Sequence, residues 1–141
     1  MTERNNKMNI LPPRTIIFQE HGDDNGKLSV IESFKDIPFS IQRIFYIYSS
    51  SKEIVRGKHA NRQSEFVLIP ISGSLRVRVY DGVQEYFFLL DKKNEGIYLP
   101  KMLWKEMYDF SPDAVLLVLS SCPYNSDEYI RDFNDFLKEV K

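Results

Sequence analysis

The chain of 141 residues has one cysteine, two histidines, one tryptophan and six glycines, and no apolar run long enough to cross a bilayer. Each shortage excludes something. Cys122 alone forms no intramolecular disulfide, which suits a reducing compartment, and cytoplasm is the simplest address. The first residues lack the apolar core of a secretory leader. A formal net charge of −1 gives no global electrostatic case for nucleic acid or an anionic membrane. What is plentiful is aromatic: ten Phe and eight Tyr in a chain that is 43% hydrophobic. These residues suit strands and ring-stacking pockets, and the length is enough for one domain with a core that needs no staples.

Along the chain, residues 1–13 are polar, with Asn5-Asn6 and Pro12-Pro13, and read as a mobile tail before a single domain at 14–141. Arg14–Phe18 and Lys27–Glu32 read as strands joined across the turn formers of His21–Gly26, hence as a hairpin. Ile41–Tyr48 is a β-branched and aromatic strand, and a central strand is expected from about His59 to Ile71. Leu75–Tyr80 alternates, with Leu75, Val77 and Val79 inward, and Asp81-Gly82 predicts a hairpin to Val83–Leu89. Gly96–Pro100, Trp104–Phe110 and Ala114–Leu119 complete the strands. Only the segment after Ser126 has near-helical spacing. Many short strands and one terminal helix predict an all-β antiparallel barrel or jelly roll.

The stretch from Arg56 to Ser74 carries the chemistry. His59, Asn61 and Glu65 fall at odd positions, so on one continuous strand they would share a face. Inside a barrel that face is a site.

These residues resemble the cupins, whose first motif is His-x-His-x(3 or 4)-Glu leading to a glycine: here His59-Ala60-Asn61, Glu65 and Gly73, followed by Gly96, Pro100 and Lys105. More narrowly, Arg56-Gly57-x-His59-Ala60, Gly73-Ser74, Trp104-x-Glu106-Met107, Asp109-Phe110-Ser111 and Tyr129-Ile130-Arg131 are similar to the dTDP-sugar 3,4-ketoisomerases, the WxcM-like or FdtA-type cupins. The resemblance implies a jelly-roll barrel with a short C-terminal helix, a homodimer exchanging N-terminal strands, and a dTDP-4-oxo-6-deoxyhexose in the barrel mouth. It implies products that feed the deoxy amino sugars of surface glycans such as lipopolysaccharide or S-layer chains. The sequence departs from that pattern at Asn61, where the family has its second histidine, at Lys105, where histidine or arginine is usual, and at Asn25.

No metal or other cofactor is expected, because Asn61 and Lys105 leave only His59 and Glu65 of the usual four cupin ligands. The reaction that the resemblance implies moves a proton from C3 of a 4-oxo sugar to C4 through an enediol or enediolate. His59 is the expected base and Asn61 a donor to the C3 or C4 oxygen. Glu65 is expected to orient His59, and Lys105 to stabilise the enediolate. Arg43, Arg56 and Arg62 are candidates for the diphosphate, Tyr46 for the thymine, and Trp104 for the sugar side. A sugar-nucleotide-binding cupin without catalysis, and an epimerase on a related nucleotide sugar, are the alternatives. Gluco and galacto products both stay open.

Overall fold

Residues 10–141 are described by the computed structural model. One five-stranded sheet contains β1 (Arg14–Ile17), β4 (Arg43–Tyr48), β6 (Phe66–Ser72), β9 (Glu95–Leu99) and β11 (Val115–Ser120), in the order β1-β9-β6-β11-β4. The other contains β5 (Arg56–Asn61), β7 (Leu75–Tyr80), β8 (Glu85–Leu90), β10 (Trp104–Tyr108) and β12 (Tyr129–Ile130), in the order β12-β5-β10-β7-β8. All these pairings are antiparallel. From β4 onward the chain crosses between the sheets at almost every step, and only β7 and β8 are both consecutive and paired. That winding is a jelly roll, the architecture expected from the sequence. A hairpin of β2 (Glu20–Asp23) and β3 (Gly26–Ser29) stands apart from both sheets.

Strand alternation builds the core. Leu75, Val77 and Val79 point inward from β7 and meet Leu68, Leu116 and Val118 of the opposite sheet, all buried. The outer face of the first sheet is covered in part by Ile37 and Phe39, which close over Val67, Ile69 and Tyr98. Outside the second sheet, α1 (Phe133–Val140) sets Phe136 against Trp104, with ring centroids 5.8 Å apart. This covers the far side of β10 from the barrel interior.

The structure differs from the expectations at three places. β1 pairs with β9 rather than in a hairpin, and the hairpin is the exposed β2–β3 ribbon. The expected central strand is two: β5 ends at Asn61, residues 62–65 form a corner, and β6 starts at Phe66 in the other sheet. The helix starts late. Ser126–Glu128 is a single 3₁₀ turn and Tyr129–Ile130 pairs with β5, because Asp132, not Ser126, caps the helix by accepting from the Asp135 N–H at 3.0 Å. The expected tail at 1–13 falls outside the described residues as far as residue 9, and Ile10 packs against the core.

Phe136 has no exposed surface and fastens the terminal helix to the barrel. Phe136→Ala should lower unfolding free energy by about 3–5 kcal/mol. A urea midpoint unchanged from the parent protein would show the helix to be dispensable for the fold.

Candidate active site at the barrel mouth

Gly57 sets the geometry of the site. It has φ 85°, and a Cβ there would lie 2.8 Å from the Lys105 carbonyl oxygen. The absence of a side chain lets β5 press against β10 where the register shifts, so that His59 lies opposite Lys105 while Gly57 lies opposite Glu106. The two basic side chains are thereby brought to one spot on the barrel wall.

His59 is half-buried and its Nδ1 lies 3.0 Å from the Gly57 carbonyl oxygen. A carbonyl accepts only, so Nδ1 carries the proton and donates, and Nε2 is left with its lone pair. Burial, and then the Lys105 charge, push the imidazole down to about 3. It is therefore neutral across the physiological range. Its ring rests against Tyr129, with centroids 4.8 Å apart.

Lys105 is 4% exposed. Its Nζ donates to Asn61 Oδ1 at 2.9 Å and lies 4.9 Å from the Phe66 ring centroid. Burial pushes this ammonium down to about 7, while the negative charge of Glu128 pulls the other way. Glu128 is itself buried. It accepts from the backbone N–H groups of Gln63 at 3.0 Å and Ser64 at 2.8 Å, and from the Ser64 hydroxyl. Burial alone would raise its carboxyl; those donors outweigh it and hold the group below the ordinary range. Asn61 stands between the two charges. Its Oδ1 takes the lysine, and its Nδ2 favours the Glu128 anion from beyond hydrogen-bonding distance, with no closer partner among the described residues.

A cavity of about 160 Å³ opens in front of His59 and Lys105, with Arg43, Phe45, Arg56 and Tyr129 on its walls. The Arg43 guanidinium stacks on Phe45 at 4.4 Å and reaches toward the Tyr129 hydroxyl. Arg56 donates to Ser50 Oγ at 3.0 Å. The expected residues divide accordingly. His59, Lys105, Arg43 and Arg56 meet at the cavity, while Asn61 lies behind Lys105 rather than on the wall. Glu65 is displaced by the corner between β5 and β6. It accepts from the Tyr98 hydroxyl in a separate surface hollow and does not orient His59. Arg62 is engaged with Glu139 and the Asp127 carbonyl on the outside. Tyr46 points outward from β4, since alternation gives the inner face to Arg43 and Phe45. Trp104 faces α1, its indole donating to Glu106 at 3.1 Å. Glu128 and Tyr129 were missed as site residues because they were assigned to the helix; the signal was Asp132 with Asp135 three residues on, which marks the helix start.

A metal does not fit here. The wall presents an ammonium next to a single imidazole, which repels a cation, and among the described residues no three His, Cys, Asp or Glu side chains converge.

A jelly roll whose mouth gathers a neutral imidazole, a buried lysine and two arginines is a cupin-type barrel with a basic mouth. Comparison narrows this. The model of the FdtA family, described as WxcM-like, C-terminal, matches residues 12–141, and the chain belongs to that family. It is 41% identical over 129 residues to the TDP-4-oxo-6-deoxy-alpha-D-glucose-3,4-oxoisomerase of Aneurinibacillus thermoaerophilus, covering 90% of this chain and 91% of the relative. It superposes on the crystal structure of a 3,4-ketoisomerase from Helicobacter canadensis with a TM-score of 0.88 at 41% identity, over 91% of this chain and 96% of that one. The TM-score is also 0.88, at 35% identity over 91% and 93% of the chains, with a histidine-to-asparagine variant of the 3,4-ketoisomerase QdtA from Thermoanaerobacterium thermosaccharolyticum in complex with TDP-4-keto-6-deoxyglucose.

His59 has a consequence for stability. Its folded-state value of about 3 lies below the ordinary 6.5, so between these values the unfolded chain binds more protons and stability falls as pH is lowered. Thermal melts from about pH 6.5 to about pH 4 should show a smaller loss for His59→Asn than for the parent. Equal losses would mean the imidazole is protonated in the folded protein.

Proposed function

We propose that the chain is a 3,4-ketoisomerase of a dTDP-linked 4-oxo-6-deoxyhexose, working by general acid–base catalysis without a metal. The observation that carries this reading is the contact of His59 Nδ1 with the Gly57 carbonyl oxygen at 3.0 Å, from which the tautomer follows. Its Nδ1–H is committed to the Gly57 carbonyl, so Nε2 is a free lone pair on the cavity wall, held neutral and ready to take the C3 proton. Lys105 and the arginines put positive charge where the enediolate oxygen becomes negative. The Aneurinibacillus relative is named for this substrate class, and the Thermoanaerobacterium variant is in complex with a member of it.

The cavity admits the sugar end only. Ligand pockets usually measure about 300–1,000 Å³, well above the 160 Å³ found here. The diphosphate then lies across Arg43 and Arg56 at the mouth, and Phe45, rather than Tyr46, is the aromatic residue that β4 turns into the cavity. A second copy of the chain is proposed to complete the enclosure. The β2–β3 ribbon is exposed at every residue and pairs with no other strand among the described residues, and the open edge strand β4 exposes Ile44, Tyr46 and Tyr48. A homodimer exchanging its N-terminal segments would cover both. No helix among the described residues is long and apolar enough to cross a membrane. A cytoplasmic place in the synthesis of deoxy amino sugars for surface glycans agrees with a free Cys122.

Purified protein incubated with dTDP-4-oxo-6-deoxyglucose in deuterium oxide should move the ketone from C4 to C3, seen by NMR, and the same spectra give the configuration at C4. Deuterium exchange without ketone migration would mark an epimerase, and dTDP binding with neither would mark a binding protein. His59→Asn should lower turnover by about a hundredfold or more and keep dTDP binding. Sedimentation should give a dimer, and Tyr46→Glu on the exposed face of β4 should shift it toward monomer.

A further inference from the structure

A lysine inside a barrel normally has a carboxylate in contact. Lys105 has an amide instead, and that amide is Asn61. We propose that Lys105 is the second catalytic residue of the isomerisation, delivering the proton to C4, and that Asn61 is the positioning residue that holds it. This rests on the isomerase reading above.

The geometry separates the two roles. Lys105 is on the cavity wall opposite His59 in register, whereas Asn61 is 1% exposed and has its Oδ1 occupied by the lysine. An amide neither takes nor releases a proton at neutral pH, so it is suited to aim another group rather than to replace an imidazole. The groups facing Lys105 are His59 and Asn61 from β5, Glu128 from the turn before β12, and the Phe66 ring from β6, while Arg43, Arg56 and Tyr129 share the cavity. Val79 of β7 lies opposite it in register and adds no charge. Glu128 supplies the countercharge without contact, so the ammonium is retained yet not locked in an ion pair. When two neighbouring basic groups are driven apart in pKa, the lower becomes the base and the higher the acid. Here His59 is the lower and Lys105 the higher.

The step balances without a cofactor. His59 Nε2 takes the C3 proton; the electrons of that C–H bond form the C3–C4 double bond, and those of the C4 carbonyl move to O4. The O3 hydroxyl proton passes to O4, directly or through water, as the C3 carbonyl forms. The double-bond electrons take a proton from Lys105 Nζ at C4. His59 then holds one extra proton and Lys105 one fewer, and exchange with water restores both.

The test compares wild type, Lys105→Gln, Lys105→Arg and Asn61→Ala, using dTDP binding by calorimetry and ketone migration by NMR. Lys105→Gln and Lys105→Arg should both bind dTDP within about threefold of wild type and lose about a hundredfold or more in kcat, since arginine keeps the charge but does not release a proton. Near wild-type kcat in Lys105→Arg would overturn the assignment, leaving the lysine as a charge only. To allow for the bulk of arginine, Lys105→Ala is assayed with added methylamine or guanidinium. Rescue by the amine alone is expected, and equal rescue by both, or by neither, would overturn the proposal. In Asn61→Ala the ammonium loses its acceptor, so the alkaline limb of the kcat profile should move to lower pH. An unmoved limb would remove Asn61 from the proposal. Full-rate Lys105 variants beside an active wild type sink this inference only; a wild type that moves no ketone sinks the isomerase reading and this inference with it.

Discussion

The constraint on which the site depends is the burial of the Lys105 charge between two sheets. Removing an ammonium from water costs several kcal/mol even after relaxation, and the surrounding groups can be read as the means by which that cost is met. The amide of Asn61 accepts from it, the Phe66 ring lies beside it, and Glu128 provides opposite charge from behind the amide. Glu128 in turn is kept ionised by the Ser64 hydroxyl and the amides of the corner between β5 and β6. One buried cation therefore ties together β10, β5, the corner and the segment before the terminal helix.

The same charge governs His59. Lys105 is the second cause, after burial, of the imidazole's reluctance to protonate, and the Gly57 carbonyl fixes which nitrogen stays free. Neither effect survives unless β5 and β10 approach as closely as Gly57 permits. Stability and chemistry are opposed here. A hydrocarbon in place of Lys105 would suit the interior better, and the barrel retains a group whose proton is loosely held.

The barrel was legible in the sequence because its signals are local. Leu75–Tyr80 shows clean alternation, Asp81-Gly82 marks a turn, and Ala114–Leu119 reads as a buried run, so these strands lie close to where the sequence puts them. What was not legible depends on long-range pairing. Period-two counting treated His59, Asn61 and Glu65 as one face, and it fails at Arg62–Glu65, where the chain turns from one sheet to the other. The resemblance to a family with two histidines likewise drew attention to Asn61 as a donor to the sugar oxygens, whereas its amide oxygen accepts from a lysine 44 positions away. Tyr46 is a different case, since the alternation of Arg43 and Phe45 already assigned it to the outer face.

The two-residue strand β12 has a consequence for the order of events during synthesis. Tyr129 and Ile130 pair with β5 only after every other strand has left the ribosome, and Phe136 must then dock on Trp104 to hold them. Until that docking, Glu128 is absent from Ser64, and Lys105 lacks both its countercharge and the cover of Tyr129. In that interval Lys105 faces Asn61 and the Phe66 ring with no carboxylate behind the amide. Arrival of the last short segment therefore tightens, through the Glu128 charge, a proton that burial loosens.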